Sequence, residues 1–124
     1  LQDSAQAQTD YIDSLKNVLS EQIEKDSTSV LLLNEIAFKN YGKDQKQLKY
    51  YALKGRKLAK EIGYFNGEGR SCYILSIYYL SKGDLDSATL TINESLSLFQ
   101  KGNSLIGISS CYDLLGTLNM FKED

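Results

Sequence analysis

Three stretches of the chain carry residue types that can do chemistry. Gly63-Tyr64-Phe65-Asn66-Gly67-Glu68-Gly69 has the glycine density of a phosphate-cradling loop, in which backbone N–H groups surround an anion. It lacks the Gly-Lys-Ser/Thr ending of such loops and no strand precedes it. The spacing therefore reads as a connection between helices, with Gly67 and Gly69 serving the turn and close packing. Residues 39–61 hold Lys39, Lys43, Lys46, Lys49, Lys54, Arg56, Lys57 and Lys60 against only Asp44 and Glu61, the make-up of a patch for nucleic acid or anionic lipid. Yet Lys46, Lys49, Lys57 and Lys60 mostly share a face opposite Leu48, Ala52, Ala59 and Ile62, as a solvated helix face does. Seven acidic residues among residues 1–38 stand ready to balance it. Asp84 and Asp86 flank a turn and read as capping residues.

Composition narrows the chemistry further. The chain has 124 residues, of which 42% are hydrophobic and 24% charged, with a net charge of −2. One domain is indicated, and a general nucleic-acid binder is disfavoured for want of a basic surplus. There is no His, which removes the commonest general base and zinc ligand. Cys72 and Cys111 lack the paired spacing of a redox or metal site. Nothing brings a nucleophile, a base and an oxyanion site together. The expectation is a chain that is not an enzyme and holds no cofactor and no metal.

The elements that position these residues read as helices. Pro is absent, and Leu, Lys, Ser and Tyr abound, which suits helix. Leu85, Ala88, Ile92, Leu96 and Phe99 recur at three- and four-residue steps, an amphipathic pattern. Lys82-Gly83-Asp84 is a stop-and-start signal between two helices. The spacing predicts helices at 9–24, 28–41, 45–62, 67–82, 85–100 and 105–121, after a linker at 1–8. No apolar run reaches the roughly 18 residues of a membrane span.

A period of forty residues runs through the chain. Asp44, Asp84 and Asp124 are evenly spaced, Leu75 is answered by Leu115, Gly67 by Gly107, Ser76 by Gly116, Leu58 by Leu98 and Gly55 by Ser95. Such a period marks a solenoid, with small residues at Ser76, Ala88 and Ser95 letting backbones approach and Tyr73, Tyr78, Tyr79, Phe65 and Phe99 filling wider gaps. Cys72, Leu75, Ser76 and Tyr79, then Gly83, Asp84 and Leu85, then Ala88, Ser95 and Leu98 resemble a tetratricopeptide repeat in its longer form. In the third repeat Tyr112, Leu115, Gly116 and Asp124 match, with Asn119 and Glu123 departing from the pattern. In the first, Leu32, Asp44, Gly55 and Leu58 match, while Ile36 and Leu48 stand where small residues are usual. The resemblance covers residues 9–124, with the last repeat incomplete, and the chain reads as a fragment of a larger protein. Helices in such a stack lie about 8–10 Å apart, whereas a disulfide needs Cα atoms within roughly 7 Å, so Cys72 and Cys111 are expected as free thiols.

The resemblance implies an all-α fold, a right-handed superhelical stack of antiparallel helix pairs. It also implies a non-catalytic scaffold that binds a protein or peptide along the concave face of its first helices. On that geometry the inward residues are Val30, Leu33, Ala37 and Asn40, then Arg70, Tyr73, Ile77 and Leu80, then Ser110, Asp113 and Thr117. Leu114, Leu115, Leu118, Met120 and Phe121 on the last helix lack a covering helix, and self-association there is expected. The fragment is also similar to sensor regions of bacterial two-component histidine kinases of the Bacteroidetes type, which share a junction like Glu61-Ile62-Gly63-Tyr64. That similarity implies a periplasmic location, no bound nucleic acid, and a membrane reached only through flanking segments. The alternative is a cytoplasmic, peptide-sensing transcription regulator.

Overall fold

The computed structural model describes residues 4–21 and 26–123. Among them are six helices: α1 Ser4–Ser20, α2 Ser27–Lys39, α3 Gln45–Ile62, α4 Phe65–Ser81, α5 Leu85–Lys101 and α6 Leu105–Glu123. The fold is all-α. Each boundary has a local cause. The Asp26 carboxylate accepts from the N–H groups of Thr28 and Ser29, Asp44 from that of Gln47, and Asp84 from that of Ser87, each satisfying donors that a helix start leaves free. Gly63 ends α3 with φ +71°, a left-handed turn that glycine adopts without strain. Asn103 does the same after α5 with φ +55°.

The amino-terminal expectation needs correction. Residues 4–8 are not linker but the opening turns of α1. Their Ala and Gln are strong helix formers, and the Gln8 side chain donates to the Lys39 carbonyl at the end of α2. Residues 1–3 of the expected linker, 22–24 of the expected first helix, and Asp124 lie outside the described residues.

Consecutive helices pack on one another, and α2 also touches α4, as α4 touches α6. Two clusters fill the interior. Ala37, Leu48, Ala52, Ile74 and Leu75 form one, and Ala88, Ile92, Phe99, Cys111 and Leu118 the other. Small residues sit where helices cross most closely. Ser76 Oγ donates to the Ala88 carbonyl at 2.7 Å, and Ser95 Oγ to the Gly69 carbonyl at 2.6 Å, all four residues being buried. Phe65 departs from expectation: it lies at the surface with the Lys101 ammonium 5.9 Å above its ring. Leu118 points inward and is fully buried, and Leu114 and Leu115 pack on the second cluster. The exposed apolar surface of α6 is therefore made by Leu105, Ile106, Tyr112, Met120 and Phe121.

The period is not uniform. Helices α3 and α5 correspond at forty residues: Leu48 with Ala88, Gly55 with Ser95, Ala59 with Phe99, each pair buried. Helices α2 and α4 correspond at thirty-nine: Leu33 with Cys72, Ile36 with Leu75, Ala37 with Ser76. The path from the buried face of α2 to its capping aspartate is one residue shorter, seven positions from Ala37 to Asp44 against eight from Ser76 to Asp84; the Asp44 N–H bonds to the Asn40 carbonyl, four residues back, while that of Asp84 bonds to Tyr79, five residues back. One residue rotates a helix face by about 100°. The departure expected at Ile36 disappears in this register, because Ile36 takes the large position and Ala37 the small one.

Candidate functional site

A cleft of about 1030 Å3 runs along α2, α4 and α6, with Tyr11 of α1 at one edge. Helix α2 contributes Leu31, Asn34, Glu35 and Phe38, and Tyr41 follows it. Helix α4 contributes Arg70, Tyr73, Ile77 and Leu80, and α6 contributes Ile106, Ser110 and Leu114. Side chains three and four residues apart share a helix face, which is why each helix offers one stripe.

Of the residues expected to face inward, Arg70, Tyr73, Ile77, Leu80 and Ser110 come together on this surface. Val30, Leu33, Ala37 and Asn40 do not: they are buried in the interior. The shorter path from α2 to its capping Asp44 shifts the register by one residue, so Leu31, Asn34 and Phe38 take their places. Asp113 and Thr117 are exposed but do not line the cleft; the Thr117 hydroxyl is occupied with the Asp113 carbonyl at 3.2 Å. Tyr64, Asn66 and Phe99 also line it and were not singled out from the sequence as groove residues. The forty-residue spacing of the capping aspartates points to the neighbouring register, and the dense apolar residues of α2 carry no periodic signal that would correct it.

The cleft wall is held by buried polar groups. Asn34 Nδ2 donates to the Gly67 carbonyl at 3.0 Å, and Ser71 Oγ donates to Asn34 Oδ1 at 2.7 Å. Together they lock α2 against α4. Gly67 permits this approach, because a Cβ there would lie 2.7 Å from Val30 Cγ1 and 2.5 Å from the Tyr64 ring. The glycine-rich stretch thus serves packing inside α4. Glu35 lies 3.8 Å from Lys39. The Arg70 guanidinium lies 5.4 Å from the Phe38 ring centroid, within cation–π range. Tyr73 is half-buried and packs on the α5–α6 cluster. Its phenol is pushed up in pKa chiefly by burial, with Cys111 and Asp113 adding and Arg70 opposing.

The basic segment is spread over a surface. Lys46, Lys57 and Lys60 are exposed, Lys49 lies over Tyr78 and Lys54 over Tyr50, and Arg56 pairs with Glu94 of α5. Among the described residues no helix is long and apolar enough to cross a membrane. Cys72 and Cys111 are both free and buried. Burial pushes the Cys72 thiol up to about 12 from 9.0, and burial also raises Cys111 against a hydrogen bond to Ser95. The folded chain keeps the Cys72 proton where the unfolded chain releases it, so this group lowers stability as pH rises from about 9 to about 12. A disulfide-exchange reagent at pH 8 should find both thiols silent in the folded chain and two reactive ones after unfolding; prompt reaction of either without denaturant would contradict this burial.

The fold and cleft define a class: an all-helical array with an apolar groove along its alternate helices. Comparison with protein-family models, with curated proteins and with solved structures finds no match for the chain.

Proposed function

We propose that the chain is a tetratricopeptide-type solenoid, a right-handed stack of helix pairs, acting as a non-catalytic scaffold that binds a protein or peptide segment. The observation that carries this reading is the cleft of about 1030 Å3 walled by α2, α4 and α6, of a size and apolar character that suit a bound segment. The junction Glu61-Ile62-Gly63-Tyr64, with its similarity to bacterial two-component sensor regions, supports a sensory role in signal transduction and a periplasmic location.

Sorting a displayed random peptide library on the folded chain tests the reading. Selected peptides should lose at least tenfold in affinity when Leu31 and Phe38, both exposed in the cleft, are replaced by alanine in a chain whose helical circular dichroism is unchanged. Peptides that ignore this substitution would remove the cleft from the function.

Self-association is a second property, supported by the exposure of Leu105, Ile106, Met120 and Phe121 on one terminal helix. Exposed apolar side chains of this kind favour association. A light-scattering mass above that of the monomer at high concentration, falling to the monomer in Ile106→Glu, is the expected result; a monomer throughout would exclude it.

A further inference from the structure

We propose that the outward stripe of α3 is a docking surface for an anionic lipid bilayer, with the charged headgroup layer as its occupant. The cleft is a separate surface: no residue of α3 lines it, so both can be engaged at once.

Helix α3 turns one continuous stripe to solvent. Lys46, Tyr50, Leu53, Lys57 and Lys60 follow one another at steps of four and three residues, and all five are exposed, as residues at that spacing share a face. Lys54 stands beside them and is exposed too. At the rise of an α-helix the stripe runs about 21 Å. Forty residues on, α5 repeats the geometry without the charge: Asp86, Leu90, Asn93, Ser97 and Gln100 are likewise all exposed. The matching helix is thus solvated without lysine, and the lysines of α3 are not a requirement of the repeat.

The block is also left unbalanced. Lys54 and Lys57, then Lys57 and Lys60, stand three residues apart, close enough to repel. Among the described residues no carboxylate lies within 4.0 Å of Lys46, Lys49, Lys54, Lys57 or Lys60. The acidic residues of the amino-terminal segment, expected to balance the block, make no such pair with it among the described residues. Glu94 of α5 is engaged by Arg56, and Glu61 is the one carboxylate on α3 itself. A further cation joins at the other end. Gln45 Nε2 donates to Ser81 Oγ at 3.0 Å, holding the start of α3 against the end of α4. Lys82 there shares the Tyr78 ring with Lys49, the two ammonium groups lying 5.6 and 5.4 Å from its centroid.

The donor types choose among anionic partners. Arg56, whose planar fork would read a fixed phosphate, is taken by Glu94. What remains is lysine, a point charge that makes no demand on direction and suits a fluid layer of headgroups. Bases of a single strand stack on open aromatic faces. Here Lys54 lies over the Tyr50 ring at 5.0 Å, and Tyr78 already carries two lysines. Tyr50 and Leu53, 52% and 43% exposed among the lysines, fit the boundary between headgroups and acyl chains, where tyrosine keeps its hydroxyl wet.

Sedimentation of the folded chain with unilamellar vesicles tests this. Vesicles containing phosphatidylserine should carry the chain down at low salt and release it as sodium chloride is raised, because exposed charges are screened. Vesicles of phosphatidylcholine alone should leave it in solution. Each lysine near such a surface is worth about fivefold in affinity. Lys54→Gln with Lys57→Gln should therefore lower the partition coefficient at least tenfold, at unchanged helical circular dichroism. Lys101→Gln with Lys122→Gln removes the same charge from exposed places on α5 and α6 and should change it less than twofold. Leu53→Asn, the residue that α5 carries at the matching place, should weaken binding about threefold and leave its salt dependence alone. Equal binding to both kinds of vesicle, or an equal loss in the two charge-matched pairs, would overturn the lipid surface. So would half-saturation with oligothymidylate at a lower phosphate concentration than with the vesicles. A chain that stays in solution with anionic vesicles at low salt would overturn it outright, and none of these results bears on the cleft.

Discussion

Phe99→Ala should lower stability by about 3–5 kcal/mol. The ring is 7% exposed and belongs to the second core cluster. Two glycines press on it from different helices: a Cβ at Gly69 would lie 3.2 Å from the ring, and one at Gly107 would lie 2.3 Å from it. Removing the ring therefore opens a void bounded by backbone on two sides, and backbone cannot swing in to fill it. Helix α6 depends on this contact, since α5 is its main neighbour. The loss should appear as a lower urea midpoint at an unchanged slope. A change below 1 kcal/mol would mean that α6 is not seated on Phe99. The same ring lines the cleft, so the variant should also bind selected peptides more weakly.

The second large effect distinguishes two leucines two residues apart. Leu33→Ala should cost about 2–5 kcal/mol, because Leu33 is 6% exposed inside α2. Leu31→Ala should change stability by no more than about 0.5 kcal/mol, because Leu31 is 55% exposed and faces the cleft. The chemistry removed is identical, so the difference reads the rotation of α2 alone. Equal losses, or the reverse order, would restore the forty-residue register in which Leu33 looks into the groove.

Much of the helical architecture is written in local signals. The turn at Lys82-Gly83-Asp84, with Gly83 at φ +76° and the Asp84 carboxylate on the Ser87 N–H, is readable because glycine and aspartate serve those positions for known reasons. The stripe Arg70, Tyr73, Ile77 and Leu80 is legible because α4 lies between the left-handed glycines Gly63 and Gly83, although its N-cap Tyr64 makes no side-chain capping bond. Helix α2 was harder. Its apolar residues Val30, Leu31, Leu32, Leu33, Ile36 and Phe38 are dense enough to give every face an apolar look, so periodicity alone leaves its rotation open. What fixes it is tertiary, in the bonds from Asn34 and Ser71 to the Gly67 region. Sequence spacing could not reveal those partners.

The uneven spacing also says where one module stops and the next begins. Cut at the capping aspartates, residues 44–83 and 84–123 share the same local bonds through their joint. Gly63 and Asn103 both turn left-handed, the Tyr64 N–H reaches the Ala59 carbonyl at 2.8 Å as the Ser104 N–H reaches that of Phe99 at 2.9 Å, and Gly67 is answered by Gly107. The joint between hairpins is thus the invariant part, and the turn within a hairpin is the part that varies in length. A residue gained or lost between a helix and its capping aspartate spins that helix about its own axis by about 100°. Such a chain can exchange the side chains that its groove displays, one helix at a time, while the joint between helix pairs keeps its bonds.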